Sequence, residues 1–191
     1  MTELYIKPEP SQEETLAYIT GELIEMKFQD RRLRLKLIPS GRALDATYTD
    51  DFEPVLLDNP RELIQVHGNV VYLEDGTPTS LSEVDEILEV DESQIEVLSV
   101  DFDGRSLRPN NSLSFKVIFD REAQLYEAEG PLGVLLAAET RPALEAMLQD
   151  ELAMLWREYA LSEPDALTSA AQRLKNEILA ALEDVTDAPE S

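Results

Sequence analysis

Leu33, Leu35 and Leu37 alternate with Arg32, Arg34 and Lys36, a period of two that predicts a strand with one apolar and one basic face. RALDATYT returns after the turn PSGR with Leu44, Ala46 and Tyr48 in phase. With Ser40 and Gly41 at the loop tip, Leu37 faces Leu44, Leu35 faces Ala46, Leu33 faces Tyr48 and Lys36 lies opposite Asp45. One register satisfies all four pairs, which predicts an antiparallel hairpin. The preceding YITGELIEMKF also alternates and carries Gly21, where a bend or bulge is expected. DDFEPVLLDN predicts a short helical turn. ELIQVHGNVVYL predicts a strand with Gly68 at its middle, and TSLSEVDEILEV predicts a last strand beyond the turn EDGTP.

The second half opens with QIEVLSVDF as a strand and DGRSLRPNN as a turn. LSFKVIF sets Leu113, Phe115, Val117 and Phe119 on one face. AQLYEAE places Leu125 between polar neighbours, with Tyr126 on the other side, and GVLLAA predicts a short buried run. Thr140 is the expected N-cap of a helix with Pro142 in its first turn. Its stripe is Leu144, Met147, Leu148, Leu152, Leu155 and Tyr159, widened by Trp156. After the break LSEPD, a second helix carries Leu167, Ala171, Leu174, Ile178 and Leu182.

The order strand, strand, strand, short helix, strand, strand is that of an OB-like barrel, a resemblance of topology over roughly residues 16 to 91. A small SH3-like barrel is the alternative. The fold class expected is therefore α+β in two small modules. An OB-like β-barrel covers residues 16–92, and an antiparallel sheet of three or four strands followed by two long antiparallel helices covers 93–183. Flexible tails are expected at 1–15 and 184–191.

Composition narrows what these modules do. Against 40 acidic residues stand 16 basic ones, a net charge of −24. That balance disfavours duplex DNA and anionic membranes, which reward positive charge, and favours encounter with a basic partner. Hydrophobic residues make up 43%, enough for a core. The absence of cysteine excludes disulfides, thiolate nucleophiles and Cys-based metal sites. No apolar run approaches transmembrane length and the N-terminus has no signal-like apolar region, so a cytoplasmic location is expected.

Three sets of residues are candidates for function. Arg31, Arg32, Arg34, Lys36 and Arg42 concentrate basic charge within 12 positions. Arg32, Arg34 and Lys36 would form a nucleic-acid face on the strands that OB-type barrels use for binding, or would pair with acids such as Asp45. Gln65, His67 and Asn69 form a polar row on the fourth strand, read either as a ligand-contacting face or as a solvated one. The long helix offers Glu145, Gln149, Trp156 and Glu158, with Asp150 beside them, as a partner-docking surface. Met154, Trp156 and Leu161 are the candidate apolar patch for self-association.

No catalytic, metal or cofactor motif stands out. His67 is the single histidine, and sequence supplies it neither an acid–base partner nor a ligand pair. Asp101 and Asp103 before Gly104 lack the further ligand positions of a calcium loop and read as a turn. Asp50 and Asp51 read as caps of the short helix. The chain is accordingly expected to be non-enzymatic and to need no cofactor.

The segments FKVIFDREAQLYEAE, LGVLLAAET and RPALEAML, with Thr140, Ala143, Leu144 and Leu148 opening the helix, resemble the HicB-type antitoxins over roughly residues 112 to 152. The family's glycine-rich first hairpin and proline-centred turn are replaced here by DREAQ and EGPLG, and no DNA-binding tail is recognisable. The resemblance implies a protein that binds and masks a basic RNA-cleaving partner. An acidic interaction protein with a basic protein partner is therefore the leading expectation. A single-strand nucleic-acid-binding barrel and a homo-oligomeric scaffold are the alternatives, and no membrane partner is expected.

Overall fold

Alternating strands close into a barrel in the computed structural model, which describes residues 13–186. The chain divides into two units, one ending at Val90 and the other starting at Asp91.

In the first unit, β1 (Glu13–Lys27), β2 (Arg32–Leu37) and β3 (Ala43–Thr47) precede α1 (Glu53–Asp58), β4 (Leu63–Tyr72) and β5 (Pro78–Glu89). The closed order is β1-β2-β3-β5-β4, with β3 and β5 parallel and the other pairs antiparallel. Strand order and helix position are those expected of an OB-like barrel. Leu33, Leu35, Ile64 and Val66 fill the interior, and Leu56 of α1 joins them fully buried. β1 begins at Glu13, inside the segment expected to be a tail; residues 1–12 of that tail lie outside the described residues.

The β2–β3 hairpin forms with a register two residues from the one expected. Leu35 faces Leu44, Leu33 faces Ala46, and Asp45 lies opposite Arg34 while Lys36 faces Ala43. The tip spans residues 38–41: Leu37 N–H donates to Arg42 O at 2.7 Å and Gly41 takes φ 70°. A slip of two leaves every side chain on its expected face, which is why alternation alone does not detect it. Asp50 and Asp51 do not cap α1 through their side chains. They sit in a 3-10 turn after Thr49, which itself makes no side-chain cap bond, and place negative charge at the helix start.

The second unit contains β6 (Ile95–Val97), β7 (Val100–Phe102), β8 (Arg105–Pro109), β9 (Leu113–Asp120), β10 (Leu125–Glu129), β11 (Leu135–Ala138), α2 (Arg141–Leu155), α3 (Ser169–Ala181) and β12 (Leu182–Asp184). One antiparallel sheet has the order β11-β10-β9-β6 and a second the order β12-β8-β7. The second sheet departs from expectation. QIEVLSVDF splits at the exposed Leu98 into β6 and β7, which join different sheets. Only Asp103 and Gly104 of DGRSLRPNN form the turn, both at positive φ, and a strand follows at once. Leu182 ends the stripe of α3 as an extended residue, buried in β12 against β8. Asn110 fixes that change of conformation: its N–H bonds Ala181 O and its side chain bonds the carbonyls of Leu179 and Ala180. Residues 184–186 of the expected tail are ordered, since Val185 N–H reaches Ser106 O at 2.9 Å, and residues 187–191 lie outside the described residues.

Thr140 caps α2 by accepting from Ala143 N–H at 3.3 Å, and Thr168 caps α3 in the same way through Ala171. Leu144, Leu148, Leu152 and Leu155 are buried as the stripe predicts, whereas Met147 is exposed and Tyr159 half-buried. On β10 the inward residues are Tyr126 and Ala128, and Leu125 is half-buried, the reverse of the expected facing. The GVLLAA run is not wholly buried: Val134 and Ala138 point in and Leu135 is 72% exposed.

Burial raises the Tyr126 phenol from 10.0 to about 12, opposed by a hydrogen bond from the Asp91 backbone and by the charge of Arg141. An unfolded phenol ionises near pH 10, whereas this one stays neutral until about pH 12. The resulting stability is complete below pH 10 and is lost as pH rises toward 12. Thermal melts across that window are expected to fall less steeply for Tyr126→Phe than for the parent. Identical alkaline limbs would remove Tyr126 as the source. Burial also raises the Tyr48 phenol, so a residual slope is expected in the variant.

Candidate interaction surfaces

The basic row of β2 is assembled as alternation predicts, with Arg32, Arg34 and Lys36 outward between buried leucines. The charge of Arg34 and Lys36 is answered by the chain's own acids. Arg34 holds Asp45 through two hydrogen bonds of 2.7 and 3.0 Å and lies 3.2 Å from Glu25. Lys36 approaches Glu22 at 3.9 Å, Lys27 meets Glu25 at 3.3 Å and Arg31 meets Asp50 at 3.3 Å. The hydrogen bond from Arg34 holds the Asp45 carboxyl below its usual range, with the charges of Arg34, Arg32 and Lys27 adding to it. The depression between Lys27, Arg32, Arg34 and Asp45 has a volume of only about 30 Å³. Stacking surface is scarce here, because Tyr48 is buried and Phe28, exposed in the turn before β2, is the nearest open ring in sequence.

Sequence periodicity gives Gln65, His67 and Asn69 one face of β4, but they do not form a uniformly solvated row. Gln65 is 1% exposed and its amide lies 3.5 Å from Thr20 Oγ1, itself buried. A buried polar pair has the same sequence signature as a wet one, so periodicity misassigns it. His67 and Asn69 are engaged by carboxylates of β5. His67 Nδ1 lies 2.5 Å from Asp85 Oδ1, and Asn69 Nδ2 donates to Glu83 at 2.6 Å. The Tyr18 ring stands 4.6 Å from the imidazole, and its hydroxyl donates to Glu86.

This group depends on a β-bulge. His67 pairs Glu86 and Asn69 pairs Ser82, so residues 83–85 stand opposite Gly68 alone. Val84 turns inward, and Glu83 and Asp85 are presented outward on either side of it. Tyr18, Glu83, Asp85 and Glu86 escape a reading of sequence because no local period marks a bulge. Gly68 facing the acidic SEVDE is the available signal. Among the described residues no group of three or more acids and histidines is placed to hold a metal ion. The His67–Asp85 pair ties β4 to the bulge.

The proposed docking helix is corrected at Trp156. It is 5% exposed and belongs to the core, its indole N–H buried without a partner. A π turn over Trp156–Ala160 replaces the last turn of the helix and rephases its side chains. Glu145 and Glu158 are exposed and Gln149 is half-buried. Glu145 is held by Arg141 at 2.7 Å, while the same guanidinium ties α2 to the carbonyls of Asp91 and Ser93. The patch Met154, Trp156 and Leu161 is likewise incomplete as a self-association surface, since Trp156 faces in. Asp103 of the DG turn bonds Arg157, which lies over the Phe102 ring.

The fold is thus α+β, a five-stranded mixed barrel with a short helix in one unit and antiparallel sheets with two helices in the other. No family model, curated protein or solved structure matches the chain. No helix among the described residues is long and apolar enough to cross a membrane.

Proposed function

We propose that the chain is a non-enzymatic acidic interaction protein that binds a basic protein partner, as an antitoxin or nuclease-masking factor would. The supporting observation is how its positive charge is spent. Arg31, Arg34, Lys36, Arg105, Lys116, Arg141 and Arg157 each hold a carboxylate of the same unit, and with 40 acidic residues against 16 basic ones a surplus of −24 remains whatever the pairing. A field of that sign raises the encounter rate with a cationic partner and repels nucleic acid. The pairing of Arg34 and Lys36 weighs against the barrel as a single-strand binder, because each phosphate contact would first displace a carboxylate.

Fluorescence anisotropy tests the reading with two probes at low salt: a labelled peptide of alternating Lys and Val, and single-stranded oligothymidine. The peptide is expected to bind and to associate at least roughly tenfold more slowly at high salt, with no binding of the oligonucleotide. Failure of the peptide to bind overturns the proposal. So does oligothymidine binding that disappears in Arg32→Ala/Arg34→Ala/Lys36→Ala.

A further inference from the structure

β11 is an edge of the second unit's larger sheet, whose order is β11-β10-β9-β6. Among the described residues β11 pairs only with β10, so one side of Leu135–Ala138 has no described strand beside it. Natural edges are usually guarded by a lysine, a proline, a bulge or a covering element. This one reads Leu-Leu-Ala-Ala, pairs without a register break, and has Leu135 and Ala137 exposed. Its other face packs on α2.

The strands behind the edge supply charge. Ala137 lies opposite Glu127, and Leu135 opposite Glu129. Lys116 on β9 answers Glu129 at 3.4 Å, while Glu127 faces Ile118 and no described cation. Glu139 follows directly after β11 and is exposed. An added strand would lie about 4.8 Å from β11, hence roughly 10 Å from β10, and the small Ala137 leaves the path to Glu127 open for a long side chain.

We infer that β11 is the docking edge for an extended basic segment of the partner, which adds to the sheet as a fifth strand with its row of lysines or arginines over Leu135 and Ala137, on the face of Glu127 and Glu129. A second copy of this chain fits less well. Pairing β11 with itself would bring two sets of Glu127, Glu129 and Glu139 together in proteins that each carry −24. The inference rests on the reading of the chain as a binder of basic proteins, and it names the surface and the mode of binding.

The Lys/Val peptide is compared with a version N-methylated at every residue, which keeps its charge but has no N–H on either edge to pair with a strand. N-methylation is expected to weaken binding about tenfold or more, as is Ala137→Lys, whereas the charge-matched Leu98→Lys has a smaller effect. If both peptides bind equally, and Ala137→Lys matches Leu98→Lys, docking at the edge is wrong while the wider reading stands. If neither peptide binds, both fall. A parent chain that sediments as a dimer, and is made monomeric by Ala137→Lys, would put a second copy on the edge and overturn the inference.

Discussion

Phe115→Ala is expected to lower the stability of the second unit by about 3–5 kcal/mol, a large part of what an ordinary domain possesses. Phe115 is 0% exposed in β9, between β6 and β10. Its ring also lies against the backbone of Gly130, where a Cβ would stand 2.5 Å from Phe115 Cδ1. Alanine would remove the ring and leave its space lined by backbone, which relaxes less readily than side chains. The chain has a single tryptophan, buried in the same unit, so urea titration followed by Trp156 fluorescence reads this unit directly. A midpoint within error of the parent's would contradict the packing. The neighbouring glycine supplies a second test. Gly130→Ala alone should destabilise by overpacking, and combining it with Phe115→Leu should cost less than the two separate losses summed.

Element types were legible in the sequence wherever one period ran undisturbed. β2, β9 and the first turns of α2 follow from alternation, a helical stripe and Thr140 as cap, and the barrel's strand order follows from the order of elements. What was not legible depends on partners distant in sequence. The two-residue slip in the β2–β3 hairpin preserves both faces, so only the turn's own hydrogen bonds decide it. β12 is extended because Asn110, 71 positions before Ala181, takes the carbonyls at the end of α3. Gln65 reads as wet because the hydroxyl that meets it, on Thr20, arrives from another strand. Trp156 is buried one turn after Leu152, as the stripe it widens predicts, so its place among the docking residues runs against the helical period itself. The same limit applies to the candidate surfaces. Basic residues in β2 are visible in sequence, but their neutralisation by Glu22, Glu25 and Asp45 follows from β1 and β3 pairing on either side.

Gly68→Ala is expected to destabilise the barrel by about 2–3 kcal/mol, and to do so through the bulge. A Cβ at residue 68 would stand 2.6 Å from Ser82 O, 3.1 Å from Leu81 Cδ1 and 3.2 Å from Glu83 O. The leucine methyl could turn aside, but the two carbonyls are backbone and move only if β5 moves. Moving β5 shifts the segment that carries Glu83 and Asp85, so the pairs Asn69–Glu83 and His67–Asp85 should be lost together. Gly41→Ala separates this steric cause from ordinary glycine effects. Gly41 sits at φ 70° with nothing within 4 Å of an added Cβ, so its substitution should cost only about 1 kcal/mol of backbone strain. Hydrogen exchange of β4 and β5 amides would report the difference, and the Tyr18 and His67 ring resonances would report the lost contact between them. If Gly68→Ala proved as mild as Gly41→Ala, with both ring signals unmoved, the close approach of β4 to Ser82 would not be what fixes the bulge. The placement of Asp85 against His67 would then need a cause other than Gly68.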